Sequence, residues 1–240
     1  PTLPLQSLIN YLTHSKTSRT QCRTRATRPR QGPPMHPNPA FHTATPEENL
    51  HFARQRGFGI LSVNGPDGPL AAHIPFLLDG PGKAADLHLA RSNPIARACA
   101  AGPIPALIAV SGPDAYVSPD WYGTPDQVPT WNYIAVHLRG TLAALPEDAL
   151  QIHVEALSDE HEARLLPKKP WTTEKMSDGV LPRMMRMILP FRFTLTGIDG
   201  TWKLGQNKTP DVRHAAATAL AAQPDTGSQA IAALMQARPD

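Results

Sequence analysis

The alternation of apolar and polar positions in the first half of the chain predicts short strands between helices. A capping box, TPEE, with proline at the first helical position predicts a helix over 46–56. GFGILSV and LAAHIPFLL follow as two strands around the turn-rich NGPDGP, and DLHLA follows as a third. Asn93 then caps a helix expected to reach about Ala101, and PALIAVSG has the continuous apolar character of a buried strand.

Longer elements are predicted after this point. WNYIAVHLRGTLAAL predicts a long strand that can bend at Gly140, and the segment from Pro146 predicts an amphipathic helix with acidic residues in its first turn. Residues 167–190 are expected to be helical, with an interruption near Gly179.

The last part of the chain combines two further strands with two helices. FRFTLTGI and TWKLG predict strands on either side of Asp199-Gly200, and a helix from about Pro210 to Ala222 precedes a final helix. Mostly antiparallel strands with helices at their edges predict an α+β protein built on a small antiparallel β-barrel.

Composition narrows the class of protein. The chain has 240 residues, of which 41% are hydrophobic and 18% are charged, as in soluble globular proteins. No apolar run approaches the roughly 18 residues of a membrane-spanning helix, so a membrane protein is not expected. Two cysteines, Cys22 and Cys99, make no disulfide framework or metal motif. A cytoplasmic location is therefore the expectation.

The positive charge is concentrated in one segment. The formal net charge is +3, yet residues 1–34 contain six basic side chains and no acidic one, which leaves 17 basic and 20 acidic residues in 35–240. We interpret 1–34 as a disordered basic extension and 35–240 as the folded domain, with Met35 as the functional start; a transit peptide or a basic arm also fits the extension. The folded part therefore has no excess of positive charge that would predict a DNA-binding surface.

The segment HLARSNP, at the end of a predicted strand, is a candidate anion site. Free N–H groups at the helix start capped by Asn93 favour an anion, and Arg91 could grip it bidentately. His88 and Ala90 share one face of the strand that leads to this helix, and Arg91 lies on the other face near the strand end. The alternative is an exposed arginine beside an ordinary helix cap.

Five of the eight Trp and Tyr residues of this chain lie between Tyr116 and Tyr133, a stretch that includes VPTWNY. Pro129 favours an extended backbone before it, so Thr130 and Asn132 should point to one side of a strand and Trp131 to the other. A planar heteroaromatic ligand needs both the polar and the flat apolar surface. The alternative is an aromatic cluster at a barrel end or a subunit interface.

The segment KLGQNK places two adjacent amides, Gln206 and Asn207, between Lys203 and Lys208. It follows a predicted strand and precedes a predicted helix, so a polar loop in solvent is the alternative to a binding site. No HExxH, GxSxG or Walker motif occurs in the chain.

Together these segments resemble a known family. HLARSNP, GPDAYVSPDWY, VPTWNYIAVHLRG and KLGQNK occur in this order in the PaiB-like proteins, described as FMN-binding negative transcriptional regulators, and MHPNPAFH resembles their opening. The resemblance covers about 35–215. His36 stands where the opening usually has tyrosine, Leu87 where glycine often precedes HLAR, and Gly205 where serine often precedes QN.

The resemblance implies an FMN-binding split barrel of the pyridoxamine-phosphate-oxidase type, a homodimer with flavin between its subunits. Arg91 would then meet the phosphate, helped by other residues of HLARSNP. The implied cofactor contacts are His88, Arg91, Asn93, Thr130, Trp131, Asn132, Lys203, Gln206 and Asn207. DNA as a partner rests on the resemblance alone. A flavin-dependent oxidoreductase on the same scaffold is the main alternative, and a haem-binding split barrel is a weaker one.

Overall fold

The computed structural model describes residues 34–238, so the extension predicted at 1–34 lies, apart from Pro34, outside the described residues. The strands are β1 (Phe58–Gly65), β2 (Gly68–Leu78), β3 (Ala84–Ala90), β4 (Ile104–Val117), β5 (Thr130–Ala144) and β6 (Ile188–Lys203). The α-helices are α1 (Pro46–Arg56), α2 (Pro94–Ala98), α3 (Ala149–Ala163), α4 (Val180–Met185), α5 (Pro210–Ala221) and α6 (Thr226–Gln236). Short 3₁₀ turns occupy Pro39–Phe41, Cys99–Ala101, Pro119–Tyr122 and Thr173–Lys175.

The strands hydrogen-bond in the order β1-β2-β3-β6-β5-β4, and the sheet closes on itself as a barrel. β1 and β2 form an antiparallel hairpin in which Gly65 pairs with Gly68. β3 pairs antiparallel with β6, with Ala90 opposite Ile188. The predicted α+β class with an antiparallel barrel is confirmed.

The chain divides into two compact units, and the division falls within β4, β5 and β6. The first unit contains the described residues up to Arg56 together with Ser111–Val136 and the chain from Asp199 onward. The second contains Gly57–Val110 and His137–Ile198. Each unit buries its own apolar side chains, among them Ile134, Trp202, Leu220 and Leu234 in the first and Leu61, Phe76, Leu87 and Phe193 in the second.

Several predicted boundaries are correct and others are wrong. The helix over 46–56 and the start of β5 at Thr130 are confirmed. The two strands expected around Asp199-Gly200 are instead one continuous strand, β6. The helix expected from Pro146 begins at Ala149, since the Pro146 carbonyl accepts the Ala149 N–H in a turn. Within 167–190, only α4 and one 3₁₀ turn are helical.

Gly200 lies inside β6 because a neighbouring side chain occupies the space of a Cβ atom. A Cβ added at Gly200 would lie 2.0 Å from Oδ1 of Asn49. That same oxygen accepts a 2.8 Å hydrogen bond from Nε1 of Trp202, which is fully buried. The Asp-Gly pair therefore marks a close approach between α1 and β6, whereas its sequence suggested a turn.

We expect Gly200→Ala to lower the free energy of unfolding by about 1–3 kcal/mol, because the added methyl group overlaps the Asn49 amide. Gly197→Ala is the matched control, since a Cβ there meets nothing within 4 Å. Urea unfolding of both variants measures the difference. Equal destabilisation by the two substitutions would contradict the close approach.

Candidate functional site

The HLARSNP segment leaves β3 and enters α2 as predicted. The side chain of Asn93 accepts a 2.9 Å hydrogen bond from the Ile95 N–H, which confirms it as the N-cap. α2 has only five residues, so its dipole is small. An anion at this position would depend on side chains more than on the helix start.

Arg91 already holds a carboxylate. Its Nη1 and Nη2 donate to the two carboxylate oxygens of Glu147, each at 3.0 Å, and its Nε donates to the Arg186 carbonyl at 3.1 Å. The hydrogen bonds with Glu147 raise the pKa of Arg91 and lower the pKa of Glu147. Both side chains are exposed, so an incoming anion could compete with Glu147 for the guanidinium.

His88 contacts a second histidine. Its Nδ1 lies 3.1 Å from Nε2 of His153, which projects from α3 and is 5% exposed. Burial lowers the pKa of both rings, and the neighbouring His88 also lowers that of His153, to about 4. Both imidazoles are therefore neutral at neutral pH. No described side chain connects this pair with Arg91, so His88 is placed to support α3 on β3.

Lys203 and Thr130 meet at the other candidate segments. Nζ of Lys203 donates to Oγ1 of Thr130 at 2.5 Å and lies 5.7 Å from the ring centroid of Phe41. Within residues 34–238, no carboxylate lies within 4.0 Å of this ammonium group. Burial lowers the pKa of Lys203. The lysine is thus a half-buried cation without a carboxylate partner in the described chain.

The remaining residues of KLGQNK close a loop. Gln206 accepts the Leu204 N–H at 2.7 Å and donates to the Trp202 carbonyl. Lys208 donates to Oε1 of Gln127 at 2.5 Å and lies 5.1 Å from the ring centroid of Tyr122. Asn207 is exposed. Lys203 and Lys208 therefore both reach the segment that leads into β5.

The start of β5 presents alternating surfaces, as predicted. Asn132 is buried, and its Nδ2 donates to Sδ of Met235, a weak acceptor, at 3.3 Å. Trp131 is 54% exposed and stands edge-on to Tyr116, with ring centroids 6.2 Å apart. An open depression of about 430 Å³ is lined by Pro119, Asp120, Gly123, Thr124, Pro125, Asp126 and Gln127.

Sequence reasoning missed the structure of the segment 35–42, which lies against the end of β6. The Met35 N–H donates to Asp199 at 2.7 Å, and Nδ1 of His42 lies 3.0 Å from the Gly200 carbonyl. His36 packs edge-on against Phe41, with ring centroids 4.8 Å apart. The proline-rich opening could have indicated an ordered turn, but no pattern in it identified β6 as its partner.

The nine predicted residues thus fall into two groups. His88, Arg91 and Asn93 lie in the second unit, while Thr130, Trp131, Asn132, Lys203, Gln206 and Asn207 lie in the first. Among them, direct side-chain contact joins Lys203 to Thr130. Among the described residues, no group of three or more His, Cys, Asp or Glu side chains could hold a metal ion.

Residues 35–197 match the family described as "Putative FMN-binding domain". The chain belongs to this FMN-binding family. The match includes the segment 35–42, HLARSNP and VPTWNY, whereas Lys203, Gln206 and Asn207 lie beyond it. The recognition of a PaiB-like protein from its sequence segments is confirmed.

Two curated relatives and one solved structure show the extent of the likeness. The protease synthase and sporulation protein PAI 2 of Bacillus subtilis is 30% identical over 173 residues, which cover 70% of this chain and 80% of that protein. An uncharacterised protein of Aspergillus fumigatus is 25% identical over 205 residues, 65% of this chain and 78% of its own. The FAD and haem binding protein of Mycobacterium smegmatis is 17% identical with a TM-score of 0.48, over 67% of this chain and 72% of that one. No helix among residues 34–238 is long and apolar enough to cross a membrane.

The His88–His153 pair predicts a loss of stability in acid. The pKa of His153 is lowered from 6.5 to about 4 in the fold, so the unfolded chain takes up a proton first as pH falls. The free energy of unfolding should therefore decrease between about pH 6.5 and about pH 4, by about 2–3 kcal/mol from this residue.

Urea unfolding across this pH range, compared between His153→Gln and the parent chain, measures that contribution. His153→Gln should flatten the decrease, whereas His73→Gln, at an exposed histidine, should leave it unchanged. An unaltered pH dependence in His153→Gln would refute the assignment.

Proposed function

We propose that this chain binds FMN as its cofactor. The observation that carries the proposal is the start of β5, where a hydroxyl, an exposed indole and a buried amide follow one another at Thr130, Trp131 and Asn132. These residues lie within the part of the chain that matches the FMN-binding family. Lys203, which has no carboxylate within 4.0 Å in the described chain, lies against the first of them.

The side chains present fit the chemistry of a flavin. An isoalloxazine ring combines a flat apolar face with a polar edge, and Trp131 offers exposed aromatic surface for the face. The amide of Asn132 donates to the thioether of Met235, a weak acceptor, so a ligand oxygen would be a better acceptor. FMN would supply redox chemistry, while the residues of this chain would bind and orient it.

The phosphate contact is proposed for Arg91. In the structure its fork is bidentate to Glu147, a geometry that a phosphate can reproduce. FMN would displace the exposed Glu147 carboxylate, which therefore acts as a competitor for the same guanidinium. His88 and Asn93 would act by holding β3 and α2 in place around Arg91.

The competition predicts opposite effects from two substitutions. Arg91→Ala should weaken FMN binding by about tenfold to a hundredfold, because a charge-assisted hydrogen bond is lost. Glu147→Gln should strengthen FMN binding, because the competing charge is removed. Riboflavin, which has no phosphate, should respond to neither substitution.

Fluorescence titration of each variant with FMN and with riboflavin measures these affinities. Glu155→Gln makes the same change of charge within α3, which begins just after Glu147, and is the control for Glu147→Gln. If Arg91→Ala weakened the binding of FMN and of riboflavin equally, the assignment of the phosphate to Arg91 would be wrong.

A homodimer is the second part of the proposal. Val128, Trp131 and Tyr116 are 72%, 54% and 45% exposed, a large amount of apolar surface for one short region. Trp131 and Tyr116 already contact each other edge-on. Aromatic residues of this kind are enriched at interfaces, and we assign Val128, Tyr116 and the part of Trp131 that the flavin leaves uncovered to contact with a second copy of the chain.

Trp131→Arg should convert the dimer into a monomer, since it places a charge in the centre of the apolar contact. Ile152→Arg is the control, because Ile152 is also an exposed apolar residue, 73% accessible, but lies on α3 of the other unit. Sedimentation equilibrium measures the mass of both. A dimer that survives Trp131→Arg would place the interface elsewhere.

The PaiB resemblance implies a regulatory role. We propose that the described domain does not exert such a role by binding DNA directly. Lys168 is paired with Glu162, and Lys203 and Lys208 are only partly accessible. Arg183 and Arg186 are exposed but form a small cluster. Because DNA affinity depends on many simultaneous phosphate contacts, these groups favour a flavin-responsive cytoplasmic protein over a direct DNA binder.

A further inference from the structure

Two adjacent leucines are exposed just after α3. Leu165 and Leu166 are 52% and 63% accessible, and in the described chain no other two neighbouring Leu, Ile, Val, Met or aromatic residues are both exposed. They belong to the segment RLLPKKPW, residues 164–171, which contains three basic side chains and no acidic one. We call this segment the Leu-Lys loop. An apolar pair that stays in water is unfavourable, so a surface that covers the two leucines would gain free energy.

The Leu-Lys loop is tied to α3 by one carboxylate. Oε2 of Glu162, in the last turn of α3, accepts the Trp171 N–H at 2.8 Å and Nζ of Lys168 at 2.5 Å. The Lys168 N–H donates to the Leu165 carbonyl at 3.0 Å, which closes a turn around Leu166. The hydrogen bond from Lys168, and then that from Trp171, lowers the pKa of Glu162, so this carboxylate stays charged at neutral pH. An ordered turn therefore presents the two leucines.

The positive charge around the leucines is only partly neutralised. Residues 163–175 carry four basic side chains and one acidic side chain. Arg164 and Lys168 pair with carboxylates of α3. Lys169 and Lys175 are exposed and have no carboxylate within 4.0 Å in the described chain. Because Nζ of Lys175 donates to a carbonyl of the loop at 3.0 Å, both ammonium groups lie beside the exposed leucines.

This combination of side chains fits a lipid surface better than a protein partner. Lysine is depleted in the core of protein–protein interfaces. At a membrane, by contrast, its alkyl chain lies along the apolar region and its ammonium group reaches the headgroups. Trp171, which is half-buried, is of a type enriched where membrane and water meet. Clustered lysines are attracted to anionic lipids, and leucines beside them can enter the acyl boundary.

We propose that the Leu-Lys loop docks this protein reversibly on the surface of a membrane that contains anionic lipids. Leu165 and Leu166 insert between the headgroups, while Lys169 and Lys175 contact lipid phosphates. Contact of this kind needs no membrane-spanning helix. The proposal goes beyond cofactor binding, since no residue of the loop is a proposed flavin contact.

Flotation with lipid vesicles tests the proposal on the full 240-residue chain. One set of vesicles is phosphatidylcholine alone, and the other mixes it with an equal amount of phosphatidylglycerol. The parent chain should bind the mixed vesicles more tightly than the neutral ones, and added salt should weaken this binding. Residues 1–34, with six basic side chains, are present in every variant. Differences between variants therefore report on the loop.

The leucines are tested by the double variant Leu165→Ser with Leu166→Ser. It should weaken binding to the mixed vesicles about tenfold or more, because two apolar side chains no longer leave water. Ile152→Ser is the matched control, since Ile152 is an exposed apolar residue of α3, 73% accessible, outside the loop. This control should bind as the parent chain does.

The lysines are tested separately, so the proposal stays falsifiable even if the leucine variant fails to fold. Lys169→Gln and Lys175→Gln should each weaken binding to the mixed vesicles about fivefold. Lys83→Gln, at an exposed lysine outside the loop, should have no effect. Trp171→Phe should remove part of the shift in tryptophan fluorescence that accompanies vesicle binding.

Equal binding by the parent chain and by the double leucine variant would overturn the proposal, as would equal binding to neutral and mixed vesicles. If the leucine substitutions changed the mass in sedimentation equilibrium but not the flotation, the leucines would belong to a subunit contact and the proposal would be wrong. Flotation is measured without added flavin. Failure to bind lipid can therefore be told apart from failure to bind FMN.

Discussion

The hydrogen bond between Trp202 and Asn49 is the contact on which the first unit depends. It buries the largest side chain of β6 completely and ties it to α1, and it requires a glycine at position 200. With Trp202 directed into the core, the alternation of the strand directs Lys203 to the opposite side, where Phe41 and Thr130 receive it. The position of the half-buried ammonium group is therefore a consequence of core packing.

The second unit uses its charged groups differently. Arg91 satisfies its donors with Glu147 and a carbonyl, and His88 shares a hydrogen bond with His153. The His88–His153 contact joins β3 to α3, and the Arg91–Glu147 pair joins the residue that follows β3 to the turn that precedes α3. A residue with such a structural partner can still bind a cofactor, but the ligand must then compete with that partner. Lys203 has no carboxylate competitor of this kind within the described chain.

Sequence signals predicted correctly the features that neighbouring residues determine, such as helix ends. The capping box gave the bounds of α1, and Asn93 caps α2 through its own side chain. The prediction of a strand break at Asp199-Gly200 was wrong because glycine occurs both in turns and where another side chain comes close to the backbone. The approach of Asn49 from a helix far away in the sequence cannot be read from the residues next to Gly200. For the same reason the pairing of Arg91 with Glu147 was not foreseen, since the two are 56 positions apart. The family resemblance supplied the cofactor class, which no spacing in the chain specifies.

The central claim is that this chain holds FMN, and the absorption spectrum of the purified protein tests it most directly. The account predicts flavin bands in the near-ultraviolet and blue, and release of FMN on denaturation at about one molecule per chain. If the purified protein is colourless, titration with FMN should restore the same bands. A haem Soret band, or a protein that takes up no FMN at all, would contradict the account.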